Sequence, residues 1–69
     1  MKTEEKIALS WEKLHGYIEK PVFRESANGY KGWIIVKQLV YDSRGFIVVD
    51  ELDDEHFCSC NLFYREEVK

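Results

Sequence analysis

Three residues with metal-ligand chemistry lie close together near the C-terminal end of the chain: His56, Cys58 and Cys60. Thiolate and imidazole groups are the usual ligands of zinc. Alternate residues of a strand, however, lie ~6.6 Å apart, whereas zinc ligands converge to within ~2 Å of the metal. The only other histidine is His15. We therefore predict no metal site and no cofactor, and we expect the cysteines to be reduced and to pack as small apolar residues.

The chain contains no group of residues with the pattern of an active site. No nucleophile motif surrounds either cysteine, and His15 has the position of a helix-end residue that favours the helix dipole. Gly29 and Gly32 are typical of turns and do not form a phosphate-binding loop. A domain of 69 residues also has little interior to spare for a catalytic pocket. We expect a protein that is not an enzyme.

Five carboxylates lie within six consecutive positions, and this acidic cluster surrounds Leu52. It lacks the alternating acidic positions and central glycine of a calcium loop. One interpretation is a solvated turn that protects a sheet edge from aggregation. The other is a rim that steers a partner with a basic surface, beside aromatic anchors that supply the affinity. The second interpretation predicts a protein-binding surface formed by Trp33, Tyr41, Asp50, Glu51, Asp53, Asp54 and Glu55.

A second set of residues interleaves basic and aromatic side chains: Arg24, Tyr30, Lys31 and Trp33. On an open strand face such a set can stack on the bases of single-stranded nucleic acid and follow its backbone. The net charge of −3, from 13 acidic and 10 basic residues, opposes this function. The alternative is a core position for Trp33 with Arg24 stacked on its ring. Nucleic acid is therefore the less favoured partner.

The longest structural signal is a β-hairpin formed by the two β-rich runs 33–41 and 46–52. Residues 42–45 between them suit a type I turn that ends in a left-handed residue, so Gly45 is expected to have a positive φ. A three-residue loop would place Val40 opposite Val48. One face would then carry Trp33, Ile35, Leu39, Tyr41, Ile47 and Val49, and the other Ile34, Val36, Val40, Phe46, Val48 and Leu52. Both faces are largely apolar, so both must be covered.

The elements around the hairpin have weaker signals. Residues 3–15 predict a helix, because Thr3 can cap its start and Trp11 and Leu14 follow helical spacing. A first strand covers 17–25. Pro21 interrupts it and indicates either an edge position or the start of the strand, because proline cannot donate to the ladder.

The C-terminal segments follow the acidic turn. Residues 57–60 predict a fourth strand and 61–64 a short helical turn. Residues 65–68 predict either a fifth strand or a frayed end.

Taken together, these elements predict one domain, residues 1–69, of the α+β class. A helix at about 3–15 precedes a twisted antiparallel β-meander of four or five strands at about 18–68. In its order of elements, the meander resembles an SH3-like small barrel, a fold that hosts many functions. The predicted function is a small non-catalytic protein-binding module, such as an inhibitor or accessory subunit of a larger protein. A nucleic-acid-binding barrel and a structural homodimer are the alternatives.

The N-terminal residues lack the apolar core of a signal peptide, and no apolar run reaches membrane-spanning length. The expected location is therefore cytoplasmic, without membrane association.

Overall fold

The computed structural model describes residues 8–67, which form a short helix followed by five antiparallel strands. The architecture is mostly β and is consistent with the predicted α+β class. The elements are α1 (Trp11–Leu14), a 3-10 turn (His15–Tyr17), β1 (Pro21–Ser26), β2 (Lys31–Asp42), β3 (Gly45–Asp50), β4 (Glu55–Phe57) and β5 (Asn61–Tyr64).

The helix is much shorter than the sequence predicts. Its N-cap is Ser10, whose side chain accepts a hydrogen bond from the amide of Lys13. Residues 8–10 are not helical, because the amide of Leu9 donates to the carbonyl oxygen of Phe63 in β5 at 2.6 Å. The predicted helix is therefore wrong at residues 8–10. Its remaining N-terminal part, including the proposed cap Thr3, lies outside the described residues.

The five strands form one antiparallel sheet in the order β4-β3-β2-β1-β5. Strands β1 to β4 follow one another as a meander, whereas β5 returns to pair with β1. Residues 58–60 alone connect β4 to β5, and the side chain of Asn61 donates to the carbonyl oxygen of Phe57 at 2.9 Å. The two edges of the sheet therefore approach each other at this point. Within residues 8–67 no strand pairing joins β4 to β5, so the sheet is not closed and the SH3-like barrel is not confirmed.

Strand β5 corrects two local predictions. Residues 61–64 form a strand and not a helical turn, because Phe63 and Tyr64 are buried where β5 pairs with β1. The fourth strand ends at Phe57, where the amide of Cys60 donates back to the carbonyl oxygen of Phe57 at 3.0 Å and closes a turn. Residues 65–67 do not form a strand.

The two faces of the sheet are distinguished by α1. We call the side that α1 covers the helix face, and the opposite side the far face. The buried core lies between α1 and the helix face, where Leu9, Trp11 and Ile34 are among the partly buried residues around it. The core residues are Leu14, Val22, Val36, Val48 and Phe63. Buried side chains also lie on the far face: Phe23, Ile47, Val49 and Tyr64.

The hairpin of β2 and β3 forms as predicted, but its register differs by one residue. Asp42 pairs with Gly45, so the loop has two residues and not three. Gly45 has a φ of 103°, which confirms its predicted left-handed conformation. Further along β2, Val36 pairs with Asp50 whereas Gln38 pairs with Val49. The extra residue between them is a β-bulge.

The bulge exchanges the faces of the side chains that follow it in β2. Tyr41 pairs with Phe46, and Leu39 pairs with Val48 of the core. Leu39 and Tyr41 therefore lie on the helix face, and Val40 lies on the far face opposite Ile47. The predicted grouping of Leu39 and Tyr41 with Trp33 is wrong for this reason.

Candidate binding surface

A row of aromatic side chains crosses the helix face at the hairpin tip. Tyr41 and Phe46 face each other across β2 and β3 with ring centroids 4.6 Å apart. The ring of Phe46 lies 4.7 Å from Trp11 of α1, which in turn contacts His15 edge-on at 5.6 Å. Tyr41 is 69% exposed and Phe46 is 44% exposed. We call Tyr41, Phe46 and Trp11 the aromatic row.

A groove of about 240 Å³ runs beside the aromatic row. Trp11 and Phe46 belong to both, so the row and the groove form one continuous surface. The lining residues are Leu9, Trp11, Leu14, Phe46, Cys58, Asn61, Leu62 and Phe63. All but Asn61 are apolar residues or a cysteine, so the groove suits an apolar side chain.

Cys58 is the one ionisable group in this groove. Its side chain is half-buried, and burial raises the pKa of the thiol. A protonated thiol is a weak nucleophile. The groove therefore provides contact area and no activated nucleophile. Cys60 is exposed, so the expectation that cysteines pack in the interior is met in part by Cys58 and not by Cys60.

Arg24 lies on the same face, next to the groove. Its guanidinium carbon is 4.6 Å from the centroid of the Tyr30 ring, and Nη1 donates to Oδ1 of Asn61 at 2.7 Å. Its Nε is buried and has no hydrogen-bond partner. Among the residues that the structure describes, Arg24 takes part in no ion pair.

Gly32 allows Tyr30 to lie flat across the sheet. A Cβ atom at this position would be 2.9 Å from the Tyr30 hydroxyl oxygen and 3.3 Å from two ring carbons. Gly32 pairs with Arg24 across β1 and β2, so the absent side chain leaves the space that the stacked ring occupies.

In the acidic cluster, Asp50 is buried and binds the backbone of the turn that follows it. It is only 4% exposed, and its Oδ1 accepts hydrogen bonds from the amides of Leu52 at 2.9 Å and Asp54 at 3.0 Å. Its Oδ2 lies 2.8 Å from Nε2 of His56. Burial opposes ionisation of Asp50, but the hydrogen bonds from His56 and the two amides outweigh it, so its pKa lies below the ordinary value.

Two further acids of the cluster have internal partners. Asp53 accepts a hydrogen bond from Nζ of Lys37, the bulge residue of β2. Glu55 pairs with Arg44, whose Nη1 lies 2.9 Å from Oε1. The same guanidinium group binds Asp42 and lies 5.5 Å from the Phe57 ring.

These contacts leave two acids of the cluster to solvent. Within residues 8–67, Glu51 and Asp54 have no ion-pair partner, and Leu52 between them is exposed.

The structure does not bring the predicted anchors Trp33 and Tyr41 together. Trp33 is 49% exposed and lies on the far face, where it contacts Phe23 edge-on at 5.4 Å. Tyr41 lies on the helix face at the hairpin tip. Residues 50–54 of the acidic cluster lie at the opposite end of β3 from the tip, and of the cluster only Glu55 is joined to the tip, through its ion pair with Arg44.

The predicted nucleic-acid set is likewise divided between the two faces. Arg24 and Tyr30 stack on the helix face, and Trp33 packs against Phe23, not against Arg24. Lys31 pairs across the sheet with Glu25 on the far face, at 3.9 Å between Nζ and Oε2. A single strand of nucleic acid lying on one face would therefore not contact all four residues.

The sequence interpretation did not name Phe46 or Asn61 as site residues. It assigned Trp11 to an apolar helix stripe that packs on the hairpin, with an exposed, partner-binding helix as the alternative. A two-residue loop would have placed Phe46 opposite Tyr41 and indicated the aromatic row. No sequence signal joins Asn61 to Arg24, because their contact depends on the return of β5 to β1.

Residues 8–67 contain neither a cluster of metal ligands nor a helix that could span a membrane. No group of three or more His, Cys, Asp or Glu side chains is arranged to hold a metal ion. No helix in this part of the chain is long and apolar enough to cross a membrane.

Comparison with known proteins gives no relative. The chain matches no model of a known protein family, no curated protein and no solved structure.

Proposed function

We propose that the chain is a small non-catalytic protein-binding module that recognises its partner with the aromatic row and the adjoining groove. The single observation that supports this function is the exposure of Tyr41 and Phe46 in direct contact with each other and, through Phe46, with Trp11. Aromatic side chains held rigidly at a surface are the commonest anchors of protein interfaces. An inhibitor or accessory subunit of a larger protein is the role that fits a chain of this size.

The acidic cluster has a different role in this proposal. Because Asp50, Asp53 and Glu55 are engaged within the chain, we assign them to the folding of the turn and not to a basic partner. Glu51 and Asp54 remain available to influence association through long-range electrostatics, and such rim charges act mainly on the association rate.

The test is affinity capture from the native host with three matched baits. The wild-type chain is compared with the double variant Tyr41→Ser/Phe46→Ser and with Trp33→Ser, which removes a comparably exposed aromatic side chain from the far face. The proposal expects one stoichiometric protein on the wild-type and Trp33→Ser baits and its loss from the double variant. Thermal melting of all three baits establishes that each is folded.

Other outcomes of this capture would contradict the proposal. Loss of the partner from Trp33→Ser alone would move the site to the far face. Capture that disappears after nuclease treatment would favour the nucleic-acid alternative.

A structural homodimer is the second candidate function, and one observation favours it. Trp33 and Ile35, which is 36% exposed, lie two residues apart on the far face and form a second exposed apolar patch. Sedimentation velocity at several concentrations tests this candidate. A dimer that Trp33→Ser dissociates would support it, and a monomer throughout would exclude it.

We also propose an SH3-like curl of the sheet and a cytoplasmic location. The return of β5 to β1 and the short connection 58–60 support a half-open, SH3-like curl of the sheet. The two free cysteines support a reducing compartment such as the cytoplasm.

A further inference from the structure

Arg24 carries a positive charge that no described residue neutralises. Its one side-chain hydrogen bond is to the neutral amide of Asn61, and its Nε is buried without an acceptor. Glu25, its neighbour in sequence, lies on the far face and is paired with Lys31. A guanidinium group without an anionic partner favours an incoming anion that contacts its accessible nitrogen, because hydrogen bonds between charged groups are the strong ones.

The guanidinium group is also fixed in position. It stacks on the ring of Tyr30, which itself lies over Gly32, and it is tied to Asn61. Asn61 is in turn held by its hydrogen bond to the carbonyl oxygen of Phe57. A planar donor group whose rotamer is already restricted loses little entropy when it binds an anion, and Nη2, which has no hydrogen bond within residues 8–67, remains to donate to a carboxylate.

Asn61 connects this cation to the groove. It bonds Arg24 through Oδ1 and also lines the groove with Trp11 and Phe63. A segment in the groove would therefore pass next to a fixed, uncompensated guanidinium group. Charge complementarity then selects a segment that carries a carboxylate beside its apolar residue.

We propose that the groove and Arg24 together bind a peptide segment of the partner in which an apolar side chain is followed or preceded by an acidic residue. This inference rests on the proposed protein-binding function and names the chemistry of its ligand. Lys31, the nearest basic residue along the strand pair, lies on the far face and is paired with Glu25, so it does not add its charge to that of Arg24. The site therefore fits one carboxylate rather than the repeated phosphates of a nucleic acid.

The test begins with selection of random peptides displayed on phage against the wild-type chain. The expected result is enrichment of peptides that combine an aromatic or large aliphatic residue with Asp or Glu. The same selection against Arg24→Gln is expected to keep the apolar residue and lose the acidic one. Enrichment of apolar peptides without an acid on the wild-type chain would overturn the inference and leave the proposed function standing. If no peptide is enriched, both fail.

A double-mutant cycle then measures the contact. One selected peptide and its Glu→Gln counterpart are titrated by calorimetry against the wild-type chain and Arg24→Gln. A charge-assisted pair of this kind predicts about a tenfold loss of affinity for each single change and little further loss for the two together. Independent, multiplying losses would overturn the inference, because they would show that the two groups do not touch.

Two control variants separate charge from geometry. Lys31→Gln removes an equal charge from the far face and is expected to leave affinity for the acidic peptide within about twofold. Arg24→Lys keeps the charge without the planar group that stacks on Tyr30 and bonds Asn61, and it is expected to bind with intermediate affinity. A loss for Lys31→Gln as large as that for Arg24→Gln would indicate a general charge effect and would contradict the proposed contact. Tighter binding of single-stranded RNA than of any selected peptide would also overturn the inference.

Discussion

Replacement of Asp50 by asparagine is expected to destabilise the fold more than any other neutralisation in the acidic cluster. The carboxylate is almost fully buried and accepts three hydrogen bonds, from two backbone amides and from His56. An asparagine side chain would keep one oxygen for the amides of Leu52 and Asp54, but its NH₂ group would replace the oxygen that faces His56. Hydrogen bonds to a charged acceptor are each worth about 1.5–3 kcal/mol, roughly twice those to a neutral one.

From these contacts we expect Asp50→Asn to lower the free energy of unfolding by about 2 kcal/mol. Asp50→Ala, which leaves both amides without an acceptor, is expected to cost about 3 kcal/mol. Both are large changes for a chain of 69 residues, whose total stability is expected to be about 5 kcal/mol. The measurement is urea unfolding at pH 7, followed by circular dichroism, and Asp54→Asn is the matched control. Asp54 is exposed and without an ion-pair partner in the described chain, so its change should stay within about 0.5 kcal/mol.

The destabilisation caused by Asp50→Asn is also expected to depend on pH. The pKa of Asp50 in the folded chain lies below its ordinary value of 3.8, so the unfolded state takes up a proton first as the pH falls. The stability that the carboxylate provides is therefore complete above pH 3.8 and is lost as the pH falls from there through the folded-state pKa. The difference between wild type and Asp50→Asn should narrow in that range. Equal midpoints for Asp50→Asn and Asp54→Asn at pH 7 would refute the role given to Asp50.

Two further predictions concern the turns. Gly45→Val should lower the free energy of unfolding by about 1–3 kcal/mol, because a β-branched residue is strained at a φ of 103°, and Gly45→Asn should cost less; a denaturation midpoint unchanged by valine would contradict the turn. Iodoacetamide at neutral pH should label Cys60 before Cys58, because Cys60 is exposed whereas burial raises the pKa of Cys58. Peptide mass spectrometry measures both rates, and equal rates would argue against the partial burial of Cys58.

The central hairpin could be predicted from the sequence because its signals are local. Two β-rich runs flank a turn with glycine at its end, and the left-handed conformation of Gly45 follows from that pattern alone. The register could not be predicted with the same certainty, because two- and three-residue loops share this turn chemistry. The bulge in β2 has no local signature, since Lys37 is an ordinary strand residue on the surface.

At both ends of the described chain, long-range contacts decide the structure instead of local sequence signals. Residues 61–64 form a strand because β1 offers a pairing edge, and the Arg24–Asn61 contact across it joins residues 37 positions apart. Leu9 is held out of the predicted helix by a backbone hydrogen bond to Phe63, which is still more distant in sequence. Tertiary contacts of this kind override local helical spacing.

The candidate site lies where the structure differs from the sequence prediction, at the hairpin register and at β5. The one-residue change of register brought Phe46 opposite Tyr41, and the placement of β5 brought Asn61 to Arg24. Of the residues in the proposed site, the sequence singled out Tyr41 as a protein-binding anchor and Arg24 as part of the alternative nucleic-acid face. Their neighbours Phe46 and Asn61 were not identified. The position of Phe46 opposite Tyr41 depends on the length of the hairpin loop, and Asn61 belongs to a strand that is distant in sequence from Arg24.

The bulge at Lys37 also works as a phase shift in the longest strand. Side chains of β2 alternate strictly on both sides of it, but the even-numbered positions face α1 before the bulge and the odd-numbered positions face α1 after it. One strand thereby contributes Val36 and Leu39 to the same interior, three positions apart, which an uninterrupted strand cannot do. Deleting Lys37 would restore one continuous alternation of side chains along β2. Either the core would lose Leu39, or the hairpin would turn Tyr41 away from Phe46 and Trp11.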